Sequence, residues 1–184
     1  GFSEVGNRKE EKKIVDFARK HGMRVLGPNV FGMYSAKVSL NASFGPSKIL
    51  PGKIAIITQS GALGGAMIGK SVVDRIGLSA IISVGNKSDL DEADLLQYLK
   101  EDEQTRVVLM YIEGVKNGGR LIKTLKSMPE DKHVIVIKSG RSKRGALAAA
   151  SHTGSLAGSD NVFNGIAEQC GILRAESVDD AFNW

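Results

Sequence analysis

The sequence predicts an α/β protein built on a doubly wound parallel sheet, and three observations carry that prediction. Residues 53–57, 78–84, 107–112 and 133–137 form short apolar runs, among them Ile54-Ala55-Ile56-Ile57 and Val107-Val108-Leu109-Met110-Tyr111-Ile112. Such near-continuous runs are the pattern of parallel strands covered on both faces. Helical stretches at 61–76, 90–100 and 118–128 separate them, and strands alternating with helices indicate βαβ units. Each run also feeds a loop of glycine and polar residues: Thr58-Gln59-Ser60-Gly61, Gly85-Asn86-Lys87-Ser88-Asp89, Glu113-Gly114 and Lys138-Ser139-Gly140. All four loops are expected at one edge, because ligands of such sheets bind at the carboxyl ends of the strands.

In chain order, Asn7 is placed to cap a first helix whose apolar face holds Ile14, Val15, Phe17 and Ala18, ending at Gly22. A short strand is expected over 23–26, followed by Gly27-Pro28-Asn29-Val30-Phe31-Gly32. From there to Gly52 the chain is rich in Gly, Pro, Ser and Asn, which predicts an irregular crossing between two bodies. Beyond 133–137 come the loop around His152, a helix at 161–170 and a strand at 172–174. Ser177-Val178-Asp179-Asp180 has the look of a capped helix that stops within about two turns. Both ends read as cut, so a fragment of a longer polypeptide is expected.

Composition narrows the function classes. With 184 residues and 42% hydrophobic content, the chain can bury one substantial core with a smaller piece attached. A net charge of +5 favours anionic small molecules. Aromatics are only 5% and basic residues are scattered among acids, so nucleic acid is not an expected partner. The lone Cys170 excludes an internal disulfide, and its place at a helix end before Gly171 suits a small packed residue. Neither a membrane-spanning run nor a signal peptide is recognisable, and a cytoplasmic setting is expected.

Chemistry concentrates in the loops. Ala149-Ala150-Ser151-His152-Thr153-Gly154-Ser155-Leu156-Ala157-Gly158 sets a histidine among small residues. These let an imidazole stand clear of the backbone and let amides such as those near Thr153 and Gly154 meet an anion. Ser60, Gly61 and Ala62 open a helix whose first N–H groups lack intrahelical partners, which makes a second anion-binding start. An equally good reading has Ser60 only capping that helix. No Gly-Lys-Ser/Thr follows, so this is not a Walker loop, and the dinucleotide glycine pattern is also absent. Glu113, at the end of its strand, is placed either to accept the second ring N–H of His152 or to sit as an exposed loop acid. Arg141-Ser142-Lys143-Arg144 is a solvated basic run or an attractor of phosphate. Asp89, Asp91, Glu92 and Asp94 suit a helix N-terminus, and Lys87 and Asp89 stand at the ligand edge. His21 belongs to a last helical turn and His133 to a strand boundary. Neither has metal-ligand spacing, so no metal site is expected on this chain.

Taken in order, Gly27-Pro28-Asn29-Val30-Phe31-Gly32, Gln59-Ser60-Gly61-Ala62-Leu63-Gly64, Gly85-Asn86-Lys87-Ser88-Asp89-Leu90-Asp91-Glu92-Ala93-Asp94, Tyr111-Ile112-Glu113-Gly114 and the His152 loop make the chain resemble the NDP-forming acyl-CoA synthetases. The likeness is to the ADP-forming acetate–CoA ligase alpha subunit, with succinate–CoA ligase alpha subunits more distant, and it covers essentially the whole chain. It implies a flavodoxin-like, succinyl-CoA synthetase-like domain over 53–184, truncated at its end. A linker would occupy 36–52, and 1–35 would be the remnant of a Rossmann CoA-binding domain.

The resemblance also implies a reaction. Acyl-CoA and inorganic phosphate give an acyl phosphate and free CoA, and the phosphoryl group passes to a histidine and then to ADP or GDP. His152 matches the phosphorylated histidine, Ser60, Gly61 and Ala62 the helix start holding phosphate, Glu113 the glutamate pairing with the histidine, and Asn29 the loop near the CoA thiol. Nucleotide, as ADP or ATP with Mg2+, would sit on an ATP-grasp beta subunit or fused domain, in a hetero-oligomer or dimer. The family loop commonly has Cys after Gly-Pro-Asn, where this chain has Val30. A competing expectation is a silent CoA- or nucleotide-sensing domain of a protein acetyltransferase, against which the presence of His152 speaks. A second competitor is a flavodoxin-like domain serving only as a subunit interface, which four glycine or polar loops at one edge argue against.

Overall fold

A computed structural model describes residues 6–140 and 159–183 of the chain. The basic run at 141–144, and His152, Thr153 and Gly154 with their loop, lie outside the described residues. Within them the elements run α1 (Arg8–Lys20), β1 (Gly32–Ser35), β2 (Leu40–Ser43), β3 (Pro51–Thr58), α2 (Gly61–Val73), β4 (Leu78–Ser83) and α3 (Glu92–Glu101). They continue through β5 (Val107–Ile112), α4 (Gly118–Lys126), β6 (His133–Lys138), α5 (Asp160–Cys170), β7 (Leu173–Ala175) and α6 (Val178–Phe182).

The strands form one sheet in the order β2-β1-β4-β3-β5-β6-β7. From β4 to β7 every pairing is parallel. Within that parallel block the chain leaves β3 for β4 on one side and returns for β5 on the other. The strand order therefore reverses between β3 and β5, and that crevice is the topological switch point of an open α/β sheet.

The apolar runs are continuous because both faces of the sheet are covered. Ala55 and Ile57 of β3 point into one cluster with Leu96 and Leu99 of α3, Leu121 and Leu125 of α4 and Phe163 of α5. Ile56, one residue out of phase, points into the other with Met67 and Ile68 of α2 and Ala181 of α6. Ile56, Ile57, Met67, Leu96 and Leu99 are fully buried, each worth about 1.5–3 kcal/mol of transfer free energy. Close packing of α2 on β3 uses Gly64, where a Cβ would come within 2.9 Å of the Thr58 methyl group.

Several expectations need correcting. Residues 23–26 form no strand, although Val25 is tied by its carbonyl to Leu90 N and by its amide to Asp89. The segment expected to be an irregular crossing carries the antiparallel hairpin β1–β2, and β1 pairs with β4 to extend the sheet. Short polar strands of this kind have no periodicity to betray them; long-range pairing makes them strands. On α1, Val15 and Ala18 are buried while Ile14 and Phe17 are exposed. Asn7 makes no side-chain capping bond; its carbonyl accepts from Glu10 and Glu11 N instead. α2 ends at Val73 rather than 76, and α3 starts at Glu92 rather than 90.

Candidate functional site

Because β3, β4, β5 and β6 are parallel, the described residues that follow each of them leave from one carboxyl edge, as expected. At the switch point, β3 and β5 pair up to Thr58 opposite Tyr111. Gln59 N still donates to the Tyr111 carbonyl (3.0 Å). Beyond that the two chains diverge, α2 toward one face and the segment after Glu113 toward the other.

α2 begins with Ser60 in extended backbone. Ser60 Oγ accepts from Leu63 N (3.3 Å), and the Ser60 carbonyl accepts from Gly64 N (3.0 Å). Thr58 Oγ1 donates to the same carbonyl (2.8 Å), which fixes the turn. Ser60 is therefore a cap. Among the described residues it leaves the Gly61 and Ala62 N–H groups without partners, and Ala62 is exposed. No acidic residue stands in the first turn of α2. The hydroxyl closes one donor, and two amides at the positive end of the helix dipole stay open among the described residues.

Glu113 is 8% exposed, so it is not a solvated loop acid. Gln59 fastens its backbone: Gln59 Oε1 accepts from Glu113 N (2.9 Å) and from Gly114 N (3.3 Å). The Gly114 carbonyl in turn accepts from Lys87 Nζ. Burial first, and then the Glu113 charge, push the neighbouring Tyr111 phenol above its ordinary value.

Lys87 is not a free edge cation. It is buried and paired with Glu92 at 3.1 Å, both side chains almost wholly inside. Lys116 Nζ donates to the Lys87 carbonyl (2.5 Å), and burial first, then the Lys87 charge, lowers the Lys116 ammonium. Asp89 also proves structural. Its buried carboxylate accepts from Arg24 Nε (2.9 Å), Val25 N (2.8 Å) and Arg19, clamping α1 and the 23–26 segment to the β4–α3 loop. Burial alone would raise the Asp89 carboxyl, but these hydrogen bonds, that from Arg24 foremost, hold it well below the usual carboxylate range. Glu11 of α1 accepts from Ser88 Oγ and from Asn86 Nδ2, completing the clamp.

Asn29 sits in left-handed backbone (φ 59°) in a loop pressed on the one after β4. Asn86 N and Ser88 N donate to the Pro28 and Gly27 carbonyls, each at 3.0 Å. Gly85, at φ +49°, is required there, since a Cβ would lie 2.2 Å from the Pro28 oxygen. Phe31 next along donates its N–H to Ser83 Oγ (3.1 Å) and packs beside Gly61. The structure thus gathers Ser60, Gly61, Ala62, Glu113 and the Asn29 loop at one edge. Sequence reasoning quoted Gln59 without giving it a role, because its partners lie more than fifty residues away in sequence; its place at the strand terminus was the available signal.

Among the described residues no cluster of three His, Cys, Asp or Glu side chains is arranged for a metal ion. An apolar cavity of about 310 Å³ lined by Ile54, Val107, His133, Leu173 and Phe182 lies toward the amino ends of the strands, away from the polar loops. His133 thus belongs to the opposite end of the sheet from the start of α2.

Known proteins share this fold. Residues 51–184 match the family described as succinyl-CoA ligase like flavodoxin domain. The chain is 54% identical, over its whole length, to the acetate–CoA ligase [ADP-forming] I subunit alpha of Pyrococcus furiosus. It is 44% identical, over 98% of its length, to the corresponding II subunit alpha of that organism. It spans 40% of the length of each of these two relatives. A dinucleotide forming acetyl-coenzyme A synthetase 1 from Ca. Korarchaeum cryptofilum, solved in complex with phosphate and ADP, superposes on all of the chain with a TM-score of 0.96 at 50% identity. The chain covers 40% of that protein.

Proposed function

Because the chain belongs to the ADP-forming acyl-CoA synthetase family, we propose that it is the phosphocarrier segment of such an enzyme. The observation that carries this reading is the pair of open amides at Gly61 and Ala62, at the switch point beside a buried glutamate. Phosphate attacks the acyl carbonyl of an acyl-CoA and the thiolate of CoA leaves, giving an acyl phosphate. The free Nε2 or Nδ1 of His152 then attacks phosphorus; the P–O bond to the acyl group breaks and the carboxylate departs. ADP finally takes the phosphoryl group from His152 and becomes ATP. Each direction reverses the other, so acid, CoA and ATP return acyl-CoA, phosphate and ADP.

In this scheme Glu113 accepts the N–H of the non-reacting ring nitrogen, fixing the tautomer and stabilising the cationic ring that bears the phosphoryl group. Gly61 and Ala62 N–H, with Ser60 at the cap, hold the phosphoryl oxygens, and fixed dipoles at a helix start do so without reorganisation; Thr153 and Gly154 are assigned to the same phosphate. Asn29 borders the approach of the CoA thiol. CoA itself, and nucleotide with Mg2+, would be held largely by an ATP-grasp partner and a Rossmann domain. Residues 1–35 would be the trailing part of the latter, 36–52 the link, and 53–184 the carrier domain, working in the cytoplasm. Relatives named as ligases, at high identity over the whole chain, favour this reading over a regulatory domain of an acetyltransferase.

The test is to assemble the full-length protein with its nucleotide-binding part and supply [γ-32P]ATP and magnesium. Acid-labile, alkali-stable label on this chain is expected, and none on His152→Asn. Label surviving in that variant defeats the assignment.

A further inference from the structure

We propose that Gln59 is a positioning residue that sets Glu113 for its work on the histidine; the role rests on the phosphocarrier reading above. Where parallel strands part at a switch point, the backbone ladder runs out and the next amides lose their partners. Here the β3–β5 ladder ends with Gln59 N on the Tyr111 carbonyl. The two following amides on the β5 side, Glu113 N and Gly114 N, are then met by the Gln59 side chain at 2.9 and 3.3 Å. One side-chain oxygen thus stands in for the missing strand carbonyl. Lys87 Nζ donates to the Gly114 carbonyl, so the two peptide groups flanking Gly114 are each held, one by its N–H and the next by its C=O.

Glutamine suits this place chemically. Its carbonyl accepts two N–H bonds as a carboxylate would, yet it brings no negative charge beside Glu113 and an arriving phosphate. Gln59 directly precedes Ser60, so the residue that fixes the glutamate also belongs to the turn that fixes the anion-binding start of α2. Glutamate and phosphate site are therefore set relative to each other through one two-residue step of chain.

The experiment measures single-turnover labelling of His152 from [γ-32P]ATP in the assembled full-length protein, together with hydrogen exchange at the Glu113 and Gly114 amides. Gln59→Met is expected to slow labelling by about 10–100-fold, the range seen when supporting contacts are lost. In a Glu113→Gln background the same change is expected to cost less than about 2-fold, because residues acting through one another are non-additive. Gln59→Glu keeps the acceptor, and should keep both amides protected while shifting the acidic limb of the pH–rate profile upward, since a second carboxylate disfavours ionisation of the first. Unchanged labelling in Gln59→Met overturns the role, as does an undiminished loss in the Glu113→Gln background. Absence of label on the wild type defeats the phosphocarrier reading and the role with it. The amide exchange separates that failure from a failure of the clamp, because faster exchange in Gln59→Met is read without any activity.

Discussion

Two helices follow neighbouring strands at the carboxyl edge, one to each face of the sheet, and their first turns are built in opposite ways. α3 is sealed: Asp91 Oδ1 accepts from Ala93 N (2.9 Å) and Asp94 N (3.1 Å), while Asp94 Oδ2 accepts from Asp91 N (3.1 Å). Its acids are neutralised in turn, Glu92 by Lys87 and Asp94 by Arg120. α2 has a serine cap, no acid in its first turn and two amides left open. Both helices follow parallel strands and carry the same dipole, so the fold alone does not make a phosphate site. What distinguishes them is whether the chain supplies its own anion. α3 does, and is structural; α2 does not, and under the proposed function phosphate fills that place.

Substitutions can break that contrast. The largest effect is expected at the carboxylate flanking the open end: Glu113→Gln should slow phosphorylation of His152 by about 100-fold, at the lower end of what general acid–base groups contribute. Quench-flow labelling reads this, and an unchanged rate would leave Glu113 as a packing residue. Sealing the open end comes next. Ala62→Asp places a carboxylate among the free amides, and phosphate affinity should fall about 10-fold or more, since one unit charge some 5 Å away at an effective dielectric near 40 costs ~1.7 kcal/mol. The same change should raise the melting temperature, because an acid in the first turn stabilises a helix by about 0.3–1 kcal/mol. Loss of affinity without destabilisation is the signature; calorimetry and a melting curve check both signs.

The sealed end responds in stability instead. Asp89→Asn should cost about 2–3 kcal/mol, since charge-assisted hydrogen bonds contribute about 1.5–3 kcal/mol each, and denaturant unfolding measures it. The sign with pH follows from the lowered Asp89 value. Its contribution is complete above the ordinary aspartate range of about 4 and is lost as pH falls toward the depressed folded value. The wild type should therefore lose stability on acidification more steeply than Asp89→Asn. Smallest is Asp91→Ala, which removes a cap for about 1 kcal/mol. It should shift the denaturant midpoint and leave phosphate affinity where it was; a weakened phosphate site would show the two helix starts to be coupled.

The contrast also explains what could be read from residues alone. The parallel strands were legible because two-sided burial leaves an unbroken apolar run, as in Ile54-Ala55-Ile56-Ile57, and the Ser60-Gly61-Ala62 start because capping is local. Asp91 and Asp94 were legible as helix-start acids for the same reason. The hairpin β1–β2 was not, since β1 is held in the sheet by β4 from more than forty positions away. Nor were the destinations of Lys87 and Asp89, which stand in a loop that looks like a ligand edge but spend their charge on Glu92, Arg19 and Arg24.

By itself the sequence determined the α/β class, the order of the elements from β3 onward, the loops that open on one edge and the residues that carry family likeness. These rest on local periodicity, capping and motif order, all of which act over a few residues. Only the tertiary structure decided that β3 and β5 are neighbours, so that Gln59 reaches Glu113, and that the β4–α3 loop is gripped by α1. Strand order is fixed by contacts between segments far apart in the chain, and no short-range pattern encodes which of several apolar strands will lie beside which.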